Sequence, residues 1–203
     1  MSKLNVAYYI DCTEVEGPGK RFAIWVQGCF RRCPGCCNPK FLDIVPKTIM
    51  ESAELCRLIG NARAEKGIEG VTFLGGEPML QARGLSEVAR FCREHDLSVM
   101  VFTGYTLEEL KAEQLPFTEE LLRHTDLLVD GAYDRMRPER RRNWVGSTNQ
   151  RFHFLTGFYQ SGIEYDERFS HGFEMRIRTD GTVLTNGFPW EAVTESEQTL
   201  TER

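Results

Sequence analysis

The sequence Gly28-Cys29-Phe30-Arg31-Arg32-Cys33-Pro34-Gly35-Cys36-Cys37-Asn38 follows a run of β-forming apolar residues, Phe22–Val26. It holds four of the seven cysteines of the chain, and the first three of these four have the spacing C-x3-C-x2-C. Pro34 and Gly35 allow the backbone to turn tightly between the cysteines. An odd number of cysteines, behind an N-terminus without the apolar core of a secretory signal, predicts reduced thiols and a cytoplasmic location. Cysteines clustered this closely indicate a bound metal.

Two kinds of metal site are compatible with this pattern. A structural zinc site needs a second pair of ligands at a distance. The remaining cysteines and the histidines are instead isolated from one another: Cys12, Cys56, Cys92, His95, His124, His153 and His171. Three thiolates on a short loop suit an iron–sulfur cluster with one iron open to a chelating substrate. The pattern therefore favours an iron–sulfur cluster, with zinc as the alternative, and we expect the three isolated cysteines to be small buried apolar residues.

The composition is typical of a soluble globular protein. The chain has 203 residues, of which 41% are hydrophobic and 27% are charged, and this length suits one domain. No apolar run approaches the roughly 18 residues that would indicate a membrane span, so we expect no membrane partner. The net charge of −5 argues against nucleic acid as a partner.

Strand-like and helix-like segments alternate along the chain. The predicted strands are Val6–Ile10, Phe22–Val26, Val71–Leu74, Ser98–Phe102 and Asp126–Val129, and the predicted helices are Lys47–Ala64, Leu80–His95, Leu107–Lys111 and Phe117–His124. This order predicts an α/β fold with a mostly parallel sheet and covering helices.

Four loops each follow a predicted strand: the cysteine loop (residues 29–38), Gly75-Gly76-Glu77-Pro78, Thr103-Gly104-Tyr105 and Asp130-Gly131. Ligands of parallel sheets bind at the carboxyl ends of the strands. We therefore expect these four loops to meet at one edge of the sheet and to form the functional site.

The three-cysteine motif, followed by a strand that ends in Gly-Gly-Glu-Pro, resembles the radical S-adenosylmethionine (SAM) enzymes. Further segments are similar to the activating enzymes of glycyl-radical proteins, above all the activators of anaerobic ribonucleotide reductase: residues 17–21, 103–110, 128–131 and 146–150. The resemblance covers about residues 1–155. It implies an incomplete (β/α)6-type partial barrel and a single domain over residues 1–203, with a subgroup-specific C-terminal extension at 156–203.

The resemblance also implies the cofactors and their ligands. Cys29, Cys33 and Cys36 would hold a 4Fe-4S cluster, and SAM would chelate the open iron, with no catalytic residue beyond these two cofactors. The residues expected to contact the cofactors are Gly35, Cys37, Gly75, Gly76, Glu77, Thr103, Gly104, Asp130, Ser147 and Asn149. Gly35 replaces an aromatic residue common in the superfamily, so a backbone contact to the adenine would replace stacking.

Simpler structural roles remain open for several of these residues. The glycine pair and Asp130-Gly131 are common in turns, and Cys37 could be purely structural. Thr106 and Glu109 have the spacing of a capping box at the start of a helix. Ser147 and Asn149 could simply belong to a polar loop.

The implied activity is reductive cleavage of SAM to a 5′-deoxyadenosyl radical that abstracts a hydrogen atom from a glycine of a partner enzyme. The expected partner is a glycyl-radical enzyme, an anaerobic ribonucleotide reductase in particular. A flavodoxin or ferredoxin-type protein would donate the electron. The basic run Arg135–Arg142 is most simply a solvated face; the alternatives are that, with Arg31 and Arg32 beside the cluster, it docks the acidic electron donor, or that it contacts the partner enzyme. The alternatives are a small radical SAM enzyme that modifies a peptide or a small molecule, and a non-catalytic cluster-binding or zinc-binding module.

Overall fold

A computed structural model describes residues 2–169, 172–177 and 179–187 of the chain. The described residues form nine β-strands and four α-helices. The strands are β1 (Lys3–Thr13), β2 (Arg21–Val26), β3 (Thr48–Glu51), β4 (Gly70–Gly75), β5 (Ser98–Phe102), β6 (Leu127–Asp130), β7 (Arg151–Phe154), β8 (Phe173–Ile177) and β9 (Val183–Gly187). The helices are α1 (Ser52–Lys66), α2 (Ala82–Glu94), α3 (Leu107–Glu113) and α4 (Thr118–Arg123).

Seven strands form one sheet in the order β3-β1-β2-β4-β5-β6-β7. The four strands β2, β4, β5 and β6 are parallel, whereas β1, β3 and β7 pair antiparallel with their neighbours. Among the described strands, β3 and β7 are the two edges, so the sheet is open. The prediction of an α/β fold with a mostly parallel central sheet is confirmed.

The parallel strands are buried on both faces, which explains their continuous apolar sequences. Alternate residues such as Phe22, Ile24 and Phe73 pack under the helices in the main core. The residues between them, including Trp25 and Leu74, pack on the opposite face of the sheet. The sheet therefore has one face that is covered by the helices and a second face with its own apolar cluster.

Arg21, the first residue of β2, lies at the end of the sheet opposite the cysteine loop. Its guanidinium is fully buried and, among the described residues, donates only to uncharged acceptors. These are Thr72 Oγ1 (2.6 Å), Ser98 Oγ (3.0 Å) and Tyr159 OH (2.9 Å), and the carbonyl oxygens of Pro18, Val71 and Ser98. A Cβ on Gly17 would lie 2.7 Å from Arg21 Cδ, so the turn before β2 needs glycine to admit this side chain.

One predicted helix was wrong at its start. The prediction was a helix over Lys47–Ala64, but β3 occupies residues 48–51 and α1 begins only at Ser52. The side chain of Ile49 fitted the helical period, yet it is exposed on an edge strand that pairs with β1. The strand β7 and the pair β8–β9 were not predicted, whereas the other three predicted helices are confirmed to within a few residues.

Part of the C-terminal extension forms a hairpin, β8–β9, that packs against the turn after β1. Glu174 accepts hydrogen bonds from Thr13 Oγ1 (2.8 Å) and from the backbone N–H of Glu14 (2.9 Å). Asn186 donates to Thr13 and to Glu16. The remainder of the expected extension, residues 188–203, lies outside the described residues. In the described part of the chain, no helix combines the length and the apolar character needed to cross a membrane.

Candidate functional site

The cysteine loop begins at the carboxyl end of β2. Gly28 adopts a φ of +101° and donates to Phe41 O at 2.8 Å, and Cys29 donates to Leu42 O at 2.9 Å. Cys29 is buried, Cys33 and Cys36 are half-buried, and Cys37 is exposed. The three predicted ligands therefore lie on one short loop that is tied back to residues 41–42.

Backbone N–H groups and a neighbouring thiol surround the sulfur atoms of this loop. Burial raises the pKa of Cys29 and of Cys33, although N–H groups of the backbone, including that of Tyr133, oppose this effect. A hydrogen bond from Cys37 lowers the pKa of Cys36 to about 6, and the N–H of Asn38 also lies 3.4 Å from Cys36 Sγ. Cys37 thus contacts a predicted ligand. Within the described ranges, no three His, Cys, Asp or Glu side chains form a ready single-ion site.

The Gly-Gly-Glu-Pro segment lies directly against the cysteine loop. The N–H of Glu77 donates to Gly28 O at 2.8 Å. A Cβ on Gly76 would lie 2.4 Å from Gly28 O and 2.8 Å from Phe41 O. The glycine is therefore required by the approach of one backbone to another, a reason that the sequence analysis did not anticipate; contact of Gly75 and Gly76 with a cofactor remains a prediction.

Glu77 joins the loop after β4 to the loop after β5. Its side chain is 1% exposed. Oε1 accepts from Met79 N–H (3.0 Å) and Thr103 Oγ1 (2.8 Å), and Oε2 accepts from Gly104 N–H (2.8 Å). Burial raises the pKa of Glu77, and these hydrogen bonds oppose the rise. Because a carboxylate has about four acceptor positions, one position on Oε2 is not used by any donor among the described residues.

Asp130 ends β6 and is fully buried. It accepts from the backbone N–H of Leu107 (2.7 Å) and from Arg151 (2.6 Å), and Nε2 of His153 lies 2.8 Å from Oδ2. Burial raises the pKa of Asp130, but Arg151, Leu107 and His153 more than offset it, so the net shift is downward. These partners assign Asp130 a structural role at the start of α3, and a contact with SAM stays a prediction.

Ser147 and Asn149 lie in the loop before β7. Ser147 is buried, and its Oγ accepts from the N–H of Asp134 at 3.1 Å. Asn149 donates through Nδ2 to Ala132 O at 2.7 Å and lies beside Gly131. Its Oδ1 is buried without a hydrogen-bond partner among the described residues. Asn149 thus brings an unused acceptor to the end of β6.

Arg31 does not point outward as expected for a docking surface. Its guanidinium forms an ion pair with Glu109 and lies 4.2 Å from the centre of the Tyr105 ring. Arg32, by contrast, is exposed and pairs with Asp43 at 2.9 Å. The inward direction of Arg31 depends on Glu109, 78 residues further along the chain, and no local sequence signal could have shown it.

The two ends of the basic run Arg135–Arg142 have different surroundings in the structure. Arg142 faces inward and pairs with Glu139 at 2.6 Å. Arg135 is exposed, and its side chain would lie 3.8 Å from a Cβ on Gly35. The start of the run therefore borders the cysteine loop, while its end stabilises the loop before β7.

The comparisons with known proteins agree with this arrangement. A family model described as a 4Fe-4S single cluster domain matches residues 15–153. An anaerobic ribonucleoside-triphosphate reductase-activating protein of Pasteurella multocida is 31% identical over 163 residues, which cover 76% of this chain and 100% of that protein. The chain belongs to this family of activating proteins. The counterpart from Enterobacteria phage T4 is 30% identical and covers 73% of this chain and 92% of its own length.

Members of this activating-protein family are radical SAM enzymes, so the predicted 4Fe-4S cluster and SAM are confirmed as the cofactors of this chain. A solved structure, QueE from Escherichia coli, is 19% identical, covers 51% of this chain and 54% of its own, and has a TM-score of 0.43. About a quarter of this activating protein has no counterpart in the Pasteurella relative.

The residues at the strand ends fit these two cofactors. Three thiols on one loop match the ligand requirement of a 4Fe-4S cluster that keeps one iron open. Among the described residues, the loops at the strand ends also hold a carboxylate oxygen of Glu77 with an unused acceptor position, and the unpaired atoms Asn149 Oδ1 and Arg31 Nε. An amino-acid ligand, which carries both an ammonium and a carboxylate, needs donors and acceptors of these kinds.

Proposed function

We propose that this activating protein generates the glycyl radical of an anaerobic ribonucleoside-triphosphate reductase. The observation that carries the proposal is the position of the cysteine loop, which is hydrogen-bonded to the Gly-Gly-Glu-Pro segment at the carboxyl ends of β2 and β4. The similarity to reductase-activating proteins over nearly their whole length supports the choice of partner.

Cys29, Cys33 and Cys36 are the proposed cluster ligands. When bound, the reduced cluster and SAM supply a 5′-deoxyadenosyl radical that removes a hydrogen atom from a glycine of the reductase. Cys29 is held by its buried position and by the bond to Leu42 O. Cys33 and Cys36, being half-buried, stay accessible from the surface through which the cluster must exchange electrons.

The neighbouring loops orient SAM in this proposal. The free position on Glu77 Oε2 accepts from the ammonium group of SAM. Thr103 and Gly104 hold the carboxylate of Glu77 in place for this contact. Asn149 Oδ1, at the end of β6, accepts from a hydroxyl or amino group of the nucleoside. Gly35 and Cys37 contact the cofactors from the cysteine loop.

We also place the electron donor, a flavodoxin or ferredoxin-type protein, at the exposed side of the cysteine loop. Phe30 and Met136 are 69% and 79% exposed there, and Arg135 and Arg137 are exposed on the same segment as Met136. Exposed apolar side chains flanked by arginines are typical of protein interfaces. Arg31 does not contribute to this surface, because it pairs with Glu109.

The test is anaerobic reconstitution followed by incubation with SAM, a reductant and the candidate reductase. The expected result is a glycyl-radical signal in electron paramagnetic resonance that depends on the protein, with Cys36→Ser as the inactive variant and Cys56→Ser as the matched control. SAM cleavage without any radical on the reductase would instead favour a peptide or small-molecule substrate. A protein that binds zinc and no iron would exclude both activities.

A further inference from the structure

Arg31 occupies the junction of three loops at the candidate site. Its side chain leaves the cysteine loop and packs on Gly104, where a Cβ would lie 3.1 Å from Arg31 Cγ and 3.5 Å from Glu77 Oε2. The guanidinium then covers the ring of Tyr105 and reaches Glu109 at the start of α3. Arg31 therefore lies beside both Glu77 and the loop after β5.

Most of the hydrogen-bonding capacity of Arg31 is unused. A guanidinium has five N–H donors in a fixed plane. Among the described residues, only Nη2 donates, to Glu109, and the buried Nε has no acceptor. Leaving a buried donor of a charged group unpaired is unfavourable, so the position of Nε indicates an acceptor supplied by a ligand.

Two carboxylates near Arg31 already accept hydrogen bonds from other donors. Glu109 Oε2 already accepts from the N–H of Thr106 at 2.7 Å as well as from Arg31. Glu77 uses three of its acceptor positions within the protein. The junction thus presents one cation with a spare donor and one carboxylate with a spare acceptor, which complements the carboxylate and the ammonium of an amino acid.

We propose that the Nε–H of Arg31 binds the carboxylate of SAM. The inference rests on the proposed function, because it takes SAM as the ligand, and it adds to that function a residue that fixes the amino-acid end of the cofactor. The planar guanidinium is held by Tyr105 and Glu109 before the ligand arrives, so little side-chain freedom is lost on binding.

The test measures equilibrium binding of two probes, SAM and decarboxylated SAM, to the reconstituted protein without reductant, so that no cleavage occurs. The variants are Arg31→Met and Arg31→Lys, with Arg32→Met as the matched control on the same loop. We expect both Arg31 variants to weaken SAM binding about tenfold or more, since a hydrogen bond to a charged group is lost. Binding of decarboxylated SAM should change less than about twofold, and Arg32→Met should affect neither probe.

Equal loss of affinity for both probes would show that Arg31 only holds the loops together, and would overturn the proposal. Full SAM affinity in Arg31→Lys would also overturn it, because lysine keeps the charge but lacks the Nε–H of the guanidinium. Iron content and circular dichroism check that each variant is folded and loaded. If the unaltered protein binds no SAM, the proposed function itself fails, an outcome distinct from a failure of the Arg31 assignment.

Discussion

At the scale of single residues, Glu77 connects two loops that carry the candidate site. Its carboxylate receives three hydrogen bonds, from Met79 N–H, Thr103 Oγ1 and Gly104 N–H. An amide in its place would set an NH2 group against a backbone N–H. The geometry therefore requires a carboxylate even before a cofactor is considered.

Glu77→Gln should lower the free energy of unfolding by about 1–3 kcal/mol, because one buried donor is left unsatisfied. Urea denaturation of the variant and the unaltered protein measures the change. Glu65→Gln, at an exposed position of α1, is the control and should have little effect. Equal stability of Glu77→Gln and the unaltered protein would contradict the role of the three hydrogen bonds.

Glu16 is a second buried carboxylate, in the turn after β1. It accepts from Asn186 Nδ2 (3.1 Å) and from the N–H of Gly187 (2.8 Å), and Glu174 and Arg176 are its charged neighbours. Burial raises its pKa from 4.5 to about 7. Between these two values the folded protein retains a proton that the unfolded chain releases, so stability falls as the pH rises through this window and the loss is complete above it.

Glu16→Gln should remove this pH dependence. From about pH 5.5 to about pH 8, the unaltered protein should lose about 2 kcal/mol of unfolding free energy relative to the variant. Urea denaturation at the two pH values measures this difference in unfolding free energy. Glu14→Gln, at an exposed position nearby, is the control. Parallel pH profiles for Glu16→Gln and the unaltered protein would show that Glu16 ionises normally.

At the scale of secondary-structure elements, the loops after β2 and β4 touch through their backbones. Gly76→Ala would place a Cβ 2.4 Å from Gly28 O, and backbone atoms cannot yield as a flexible side chain does. We expect a loss of about 2 kcal/mol or more in stability, together with a lower iron content after reconstitution. Gly157→Ala, whose Cβ would meet nothing within 4 Å, should change neither quantity.

The parallel strands and the meeting of the loops could be predicted from local sequence. β2, β4, β5 and β6 are buried on both faces, so their apolar residues run without interruption, and parallel strands bring their carboxyl ends to one edge. The capping box of Thr106 and Glu109 was also predicted and is confirmed. By contrast, β3 is an edge strand of only four residues. Its residue Ile49 also fits the apolar spacing of a helix, so the sequence pattern did not distinguish the two structures.

The partners of the site residues could not be predicted, because they depend on pairings made across the fold. Asp130 meets Arg151 because β7 returns antiparallel to β6 with these two residues in register. Arg31 meets Glu109 because α3 begins beside the cysteine loop. Local patterns indicate which residues reach the edge of the sheet, but the contacts at that edge depend on register and on the direction of long side chains.

At the scale of the whole molecule, the C-terminal extension supplies a partner to the buried Arg21. Tyr159→Phe removes the hydroxyl that lies 2.9 Å from Arg21 Nη1 and 2.7 Å from Ser98 Oγ. We expect a loss of about 1–2 kcal/mol in urea denaturation, since the hydrogen bonds of this hydroxyl with Arg21 and Ser98 are both lost. Tyr165→Phe, at a half-exposed position outside this network, should be neutral, and equal effects of the two variants would contradict this role of Tyr159.

The environment of Arg21 also has a consequence for how the molecule unfolds. The guanidinium is desolvated only when acceptors from the turn before β2, from β4, from β5 and from the segment around Tyr159 surround it together. If any one of these segments detached alone, a cation would remain inside with too few acceptors, which is a high-energy state. Partial opening is therefore disfavoured, and the sheet and the segment around Tyr159 should melt in a single cooperative transition.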